Sequence, residues 1–403
     1  MEAGDPNVKI HWSSQDSHLL INPRLPAADI DELRSLFAWQ NWPGHICIAS
    51  SGSARRVGES LKLVALSKKA LMVAALASNR HLQVTSSDVW IRALPRFHVG
   101  GLAVEVRALL ADLQVSSALR ESGSAGTAKY TEEWDPHYFV EKTLREGGTL
   151  SSLVPTQVHD LLTEGLISPP SLRAVVVGGA ALSTDLYQRA RLMGWPLLPS
   201  YGLTEAGSQV ATAEVGTLQS YEFPRLKVLD HCRVHANAEG VLAIRSESLL
   251  TGYSQWRDGK KHWEVPLYEG WYATSDRVEV SSQNGTSYLR PLGRERDIVK
   301  IKGEGVSLQL LREKLDHIVA DLFPDLLFQL VLTDIPHLRD GAELILFVAA
   351  GAESSVVERI LQNFQQQVSP VERISRVTKI GRIPRTTLGK IQWDQLRLLS
   401  DNI

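Results

Sequence analysis

Consecutive residues Tyr201-Gly202-Leu203-Thr204-Glu205 combine an aromatic ring, a glycine, a hydroxyl and a carboxylate. Those groups can hold a purine, a phosphate oxygen and a magnesium ion close together. A glycine lets backbone approach a ligand that a Cβ would block. A carboxylate holds Mg²⁺, which in turn bridges phosphate oxygens. A solvent-exposed turn would contain the same residue types, so the chemical reading depends on whether other stretches agree with it.

Several do. The apolar run His45–Ala49 leads into Ser50-Ser51-Gly52-Ser53-Ala54-Arg55-Arg56-Val57-Gly58, with Lys62 opening a second short strand over 62–66. In such an arrangement backbone N–H groups, short hydroxyls and a lysine can surround a polyphosphate. It is not a Walker A loop, because no Gly-Lys-Ser/Thr opens a helix, and a polar hairpin loop fits it equally. Phe97-His98-Val99-Gly100-Gly101 joins a strand over 88–94 to an apolar helix that contains Arg107. α/β folds place ligands at such strand ends, although a lone histidine is often structural. Gly178-Gly179-Ala180-Ala181 follows an almost wholly apolar strand over 172–177, which suits a central parallel position. Glu269-Gly270-Trp271-Tyr272-Ala273-Thr274-Ser275-Asp276 carries one notable aspartate. Near the end, Pro384-Arg385-Thr386-Thr387-Leu388-Gly389-Lys390 reads as a flexible loop presenting one cation, or as a solvated surface lysine.

The elements that must position these groups follow from pattern. Residues 29–39 read as a helix, and Ser67 as the N-cap of another reaching about 78. Residues 121–135, rich in Gly, Ser and Thr, read as a surface loop. A helix over 137–146, a buried strand over 149–154 and a helix opening at Pro155-Thr156-Gln157 come next, and Ser183 caps a further helix. This alternation predicts a doubly wound α/β domain. Short strands over 227–229, 241–245 and 288–292 predict a β-rich subdomain spanning 206–293, within a large domain of 1–293. The charged run Gly293-Arg294-Glu295-Arg296-Asp297 marks the boundary. Residues 294–403 read as a small, mobile α+β cap, with strands over 298–302, 329–333 and 344–349 and helices over 308–319 and 355–367.

The chain has 403 residues, enough for two or more domains. Its net charge of −2 argues against a nucleic-acid or anionic-membrane partner. Cys47 and Cys232 have no metal-ligand spacing and suit a reducing, cytoplasmic setting. The first residues lack the apolar core of a signal peptide, and no apolar run approaches the roughly 18 residues of a membrane helix.

Taken in order, the stretches resemble the adenylate-forming acyl-CoA synthetase superfamily. The matching pieces are Ser51-Gly52-Ser53 with Lys62, Phe97-His98-Val99-Gly100-Gly101, Gly178-Gly179-Ala180-Ala181-Leu182 and Tyr201-Gly202-Leu203-Thr204-Glu205. They continue with Gly270-Trp271, Thr274 and Asp276, then Gly293-Arg294, Lys302-Gly303 and Pro384-Arg385-Thr386 with Gly389-Lys390. Each is weak alone; it is their order that is specific. Within the superfamily the chain is most similar to the 2-succinylbenzoate–CoA ligases of menaquinone biosynthesis. That likeness rests on Ser152-Leu153-Val154-Pro155-Thr156-Gln157, Gly270-Trp271-Tyr272-Ala273-Thr274 with Asp276-Arg277, and Gly303-Glu304-Gly305-Val306. A CoA ligase for another aryl or acyl carboxylate, and a non-catalytic acyl- or nucleotide-binding relative, remain alternatives.

The resemblance implies an acid–thiol ligase using ATP, Mg²⁺ and coenzyme A. Lys390 would be the cation at the reacting centre, Glu205 the Mg²⁺ ligand, and Thr204 a donor to a phosphate oxygen. Ser51, Gly52, Ser53 and Lys62 would surround the pyrophosphate. Asp276 would accept the ribose hydroxyls, Arg294 would assist it, and Tyr201, Gly202, Gly179 and Ala180 would border the adenine. Arg107, Gln157 and Gly178 would line the acid site, and His98 would line it or gate the thiol's path. Lys302 and Gly303 would line the coenzyme A tunnel after the cap swings about Arg296, the hinge. A homodimer is an open alternative to a monomer. Two departures stand out: residues 54–61 replace the family's Thr/Ser-Gly-x-Pro-Lys pattern, and the lead-in before this loop is short.

Overall fold

The computed structural model describes residues 8–49, 61–122, 131–294, 297–386 and 389–400. Ser51, Gly52, Ser53 and Arg296 therefore lie outside the described residues. Among those described, helix α1 is Ala27–Trp39 and α2 is Lys68–His81. As the sequence predicts, Ser67 caps α2, its Oγ accepting from the Ala70 N–H at 3.0 Å. Both helices flank a five-stranded sheet in the order His18–Leu20, His45–Ala49, Leu63–Ser67, Gly252–Arg257, Lys260–Glu264. Leu33 and Leu36 of α1 are buried with Cys47, Leu63 and Trp42.

A second sheet of twelve strands forms the body. Its parallel part runs Val115–Ser117, Trp90–Arg92, Leu150–Leu153, Ala174–Val177, Leu197–Leu203. Helices α3 (Val99–Leu110), α4 (Pro136–Arg145), α5 (Pro155–Thr163) and α6 (Thr184–Leu192) cover its two faces. Side chains on a strand alternate between faces. Ala174 and Val176 accordingly join one core with Val104 and Ala108 of α3, while Val175 and Val177 join another with Phe139, Val158 and Leu186 of α4 to α6. That is the doubly wound arrangement expected from the alternation of strands and helices.

The expected β-rich part of the large domain is continuous with the body's sheet. Strands from Ser208–Thr212 onward add antiparallel to Leu197–Leu203 and extend the same sheet. Gly252–Arg257 crosses back to the five-stranded sheet, where it pairs with Leu63–Ser67. Alternating polarity shows that a strand exists but not which sheet receives it. At the stretch 121–135, expected as a surface loop, Arg120–Ser122 pairs antiparallel with Thr131–Glu133.

The remaining residues build the cap. The hairpin Ile298–Ile301 with Glu304–Ser307 leads into α7 (Leu308–Leu322). A three-stranded sheet orders Leu330–His337, Gly341–Ala349 and Ile374–Ile380, with α8 (Ser354–Gln366) and a terminal α9 (Trp393–Ser400). Leu308, Leu311, Leu315 and Ile318 of α7 form a stripe at helical spacing and pack with Leu332, Leu346, Ile360 and Phe364 in a core of the cap's own. The strand Ile374–Ile380 and α9 were not read from sequence. The strand is largely polar, and the helix is a short segment.

Within α7, burial raises the Asp316 carboxyl from 3.8 to about 7, against the opposing pull of Arg385 and Arg312. The folded cap thus binds this proton more tightly than the unfolded chain does. Its contribution to stability is fully present below about pH 4 and is lost as pH rises to about 7. Asp316→Asn is expected to remove that decline, which denaturant melts at pH 5 and pH 8 would measure.

Candidate active site

Gly179, the 201–205 stretch, Asp276, Arg294 and Lys390 meet at the carboxyl ends of the parallel strands, the usual ligand edge of such a sheet. Tyr201 to Leu203 end the strand Leu197–Leu203, and Thr204–Ala206 form one 3₁₀ turn closed by Gly207 at φ 70°. The pairing register with Ser208–Thr212 shifts between Tyr201 and Gly202, forming a bulge. A Cβ on Gly202 would lie 2.0 Å from the Ser208 carbonyl oxygen. The missing side chain therefore admits neighbouring backbone. Gly202→Ala is expected to destabilise the chain by about 3 kcal/mol, seen as a lower urea midpoint.

Tyr201 and Asp276 come together as expected, and they touch. The Tyr201 hydroxyl donates to Asp276 Oδ2 at 2.6 Å, and Arg294 Nε lies 3.2 Å from Asp276 Oδ1. Asp276 and Arg294 are register partners on adjacent strands, so sheet pairing itself sets this contact. Thr274 Oγ1 accepts from the Asp276 N–H at 3.0 Å and donates to the Leu242 carbonyl at 2.9 Å. Burial first, then the Asp276 charge, holds the Tyr201 phenol protonated.

Glu205 has a support that sequence reasoning missed. Tyr253 donates to Glu205 Oε1 at 3.0 Å and shares a 2.7 Å hydrogen bond with the Tyr272 hydroxyl. Burial and the Glu205 carboxylate push the Tyr253 phenol upward, keeping it a donor. Lys62 Nζ sits 4.8 Å from the centroid of the same ring. Tyr253 lies on the strand that crosses back between the sheets, and nothing in its own sequence neighbourhood announces that path.

The cap delivers Lys390 to this edge. Its Cε is 3.8 Å from where a Cβ on Gly179 would stand, and Gly179 has φ +85°. Burial lowers the Lys390 pKa, Arg294 adds to that, and Glu205 and Asp276 oppose it. Its loop is held by Thr386, whose Oγ1 accepts from the Lys390 N–H at 3.1 Å and whose carbonyl accepts from the Gly389 N–H at 2.9 Å. His98 precedes α3, and burial together with Lys390 pushes its imidazole down to about 3. It is therefore neutral at working pH and is a polar, uncharged wall.

The proposed acid-site residues divide. Gln157 is buried, its Oε1 accepting from the Val154 N–H at 3.0 Å and its Nε2 donating to the Ala93 carbonyl at 2.8 Å. Its amide thus caps α5 and ties it to the residue that follows the strand Trp90–Arg92. A Cβ on Gly178 would meet Ser200 Oγ at 2.7 Å, so that glycine serves strand packing. Arg107 is 1% exposed, with Nη1 donating to Ser152 Oγ at 3.3 Å and Nη2 to Ser208 Oγ at 3.4 Å. Its guanidinium lies 5.5 Å from the Trp90 ring, and no carboxylate pairs with it among the described residues. Ala180 is exposed and follows Gly179 at the same edge. Lys302 and Gly303 form the turn of the cap's first hairpin, at φ 52° and 86°. Lys302 N–H donates to the Asp340 carbonyl at 2.8 Å, and no described contact joins this turn to the cluster around Lys390.

Residues 60–254 match the family described as AMP-binding enzyme. A 2-succinylbenzoate–CoA ligase of Listeria monocytogenes is 24% identical over 337 residues, covering 80% of this chain and 64% of the relative. The Escherichia coli protein of the same name is 32% identical over 239 residues, covering 58% of this chain and 44% of its own. The chain thus spans less than two thirds of the length of these curated relatives. Among solved structures, Bacillus subtilis o-succinylbenzoate CoA synthetase in complex with its acyl-adenylate intermediate aligns with TM-score 0.68 at 19% identity. That match covers 87% of this chain and 68% of the other, and it bears on the fold.

Proposed function

We propose that the chain, whose residues 60–254 match the AMP-binding-enzyme family, is an adenylate-forming ligase that activates 2-succinylbenzoate with ATP and transfers it to coenzyme A, as in menaquinone biosynthesis. One observation carries the reading: a lysine from a separate cap, Lys390, enters the field of Glu205, Asp276 and Arg294 at the ligand edge of the sheet. A nucleotide-binding module alone has no use for a cation brought in by a second domain.

In the first step a substrate carboxylate oxygen attacks the α-phosphorus of ATP, and the bond to pyrophosphate breaks. Negative charge grows on the α-phosphoryl and bridging oxygens. Preplaced donors aimed at that charge lower the barrier most. Lys390 supplies the ammonium and Thr204 a hydroxyl. Asp276, fixed by Tyr201 and Arg294, is an acceptor for ribose hydroxyls. Lys62 would neighbour the leaving pyrophosphate, together with Ser51, Gly52 and Ser53, whose part is the one the resemblance implies. Mg²⁺ would neutralise phosphate charge. Glu205 would suit it, since Mg²⁺ takes one or two carboxylates plus phosphate oxygens.

In the second step the coenzyme A thiol attacks the acyl carbon, and AMP leaves with the bonding pair. Lys390 must withdraw for the thiol to enter, and the turn at Lys302 and Gly303 takes its place as the cap rotates about Arg296. The second carboxylate of the acid pairs with Arg107, which has a buried positive charge and no ionic partner among the described residues. No helix among the described residues is long and apolar enough to cross a membrane.

A panel of carboxylic acids tests the assignment, with thioester formation read by mass. Turnover of 2-succinylbenzoate above aromatic monocarboxylates is expected. Turnover only of other acids would move the assignment to another acid–CoA ligase. Binding of ATP without turnover of any acid would favour the non-catalytic relative, a reading motivated by the altered 54–61 segment.

A further inference from the structure

The cap touches the body at a second place, apart from the charged neighbours of Lys390. Helix α5 presents Thr156 and His159, three residues apart and hence on one face. Gly389, at φ +70°, lies so close to Thr156 that a Cβ there would be 2.1 Å from its Oγ1. The His159 ring meets the Phe328 ring edge-on, with centroids 4.8 Å apart at 79°. Phe328 belongs to the cap but packs against the cores of both bodies. Its φ of 70° is one that a bulky side chain rarely adopts, so its surroundings must hold it there.

Arg385 connects the two contact points. Its Nη1 donates to the Gly389 carbonyl at 2.8 Å and its Nη2 to the Phe328 carbonyl at 2.9 Å, while the guanidinium lies 5.3 Å from the Phe328 ring centroid. Moving Phe328 off His159 therefore pulls on the carbonyl next to Lys390. None of these side chains belongs to the nucleotide or acid groups described above.

We propose that the Thr156–His159 face of α5 is a docking seat for the cap, and that Phe328 and Arg385 form the latch that fixes Lys390 in the adenylate-forming orientation. The inference rests on the adenylate-forming reading and adds the positioning residues that set the balance between cap orientations. A contact made in one orientation only shifts a two-state equilibrium by its full differential worth. Weakening the latch therefore lowers the population competent for the first step and spares the second.

The test uses the full chain with two readouts. His159→Ala and Phe328→Ala are each expected to slow acid-dependent pyrophosphate release roughly tenfold. Thioester formation from supplied acyl-adenylate should stay at or above the wild-type rate, and His159→Phe, which restores an aromatic edge, should recover the first step. Separately, dyes are placed at Leu192→Cys and Leu338→Cys, both exposed on the two bodies, while the native cysteines are buried. Energy transfer should report a shifted cap orientation in the alanine variants without any turnover. Equal loss of both half-reactions, or unchanged energy transfer, would overturn the latch. A wild type inactive on every acid would instead sink the functional reading, and energy transfer alone would then decide the latch.

Discussion

Lys390→Ala is expected to lower acid-dependent pyrophosphate release by about 10²–10³-fold, the usual loss when one preplaced charge-stabilising donor is removed. Thioester formation from supplied acyl-adenylate should remain close to wild type. The asymmetry follows from position. Lys390 is carried by a cap loop rather than by the sheet, and its ammonium is partly buried among Glu205, Asp276 and Arg294. Burial and Arg294 lower its pKa while Glu205 and Asp276 oppose them, and the anionic triphosphate would favour its charged form further. Rapid quench of each half-reaction separates the outcomes. Equal loss in both steps would place Lys390 in a general structural role.

Arg107→Met is expected to cut kcat/KM for 2-succinylbenzoate by about 10²–10³-fold, in line with truncating one partner of a buried charge pair. Turnover of aromatic acids with a single carboxylate should change little. Stability should hold or rise, because an isolated guanidinium is costly to bury and an apolar chain of similar length is not. Burial lowers its pKa to about 10, so it remains charged at neutral pH. Its partners are two serine hydroxyls at long range, not a carboxylate. Were Arg107 only a core-edge residue, the variant would lose stability and turn over all acids equally less. Thermal melts alongside acid-specific kinetics distinguish the two.

Local chemistry was legible in the sequence where it coincided with short motifs. The 201–205 stretch, Asp276, Arg294 and Lys390 each lie in a run whose composition marks a turn or strand end, and the fold brings them to one edge. The alternation of strands and helices likewise revealed the doubly wound body. What escaped was whatever depends on distant pairing. Tyr253 supports Glu205 from a strand of the other sheet, and no periodicity within 252–257 indicates which sheet receives it. Gly202 and Gly178, expected at the ligand, also make room for Ser208 backbone and the Ser200 side chain, which their own stretches do not announce. Gln157, expected as a substrate contact, has an amide whose two ends hold backbone, a tie set by the fold. A sequence shows that a small or polar residue is tolerated at a position; only the fold shows which neighbour requires it. Ser51, Gly52, Ser53 and Arg296 fall outside the described residues, so their roles remain those implied by resemblance.

The central claim is that acid, nucleotide and Lys390 react at the sheet edge before coenzyme A takes part. Isotope exchange between labelled pyrophosphate and ATP tests it most directly, run with 2-succinylbenzoate and Mg²⁺ and without coenzyme A. Acid-dependent exchange that disappears in Lys390→Ala is the predicted result. Exchange that is absent until coenzyme A is added, or undiminished in Lys390→Ala, would contradict it.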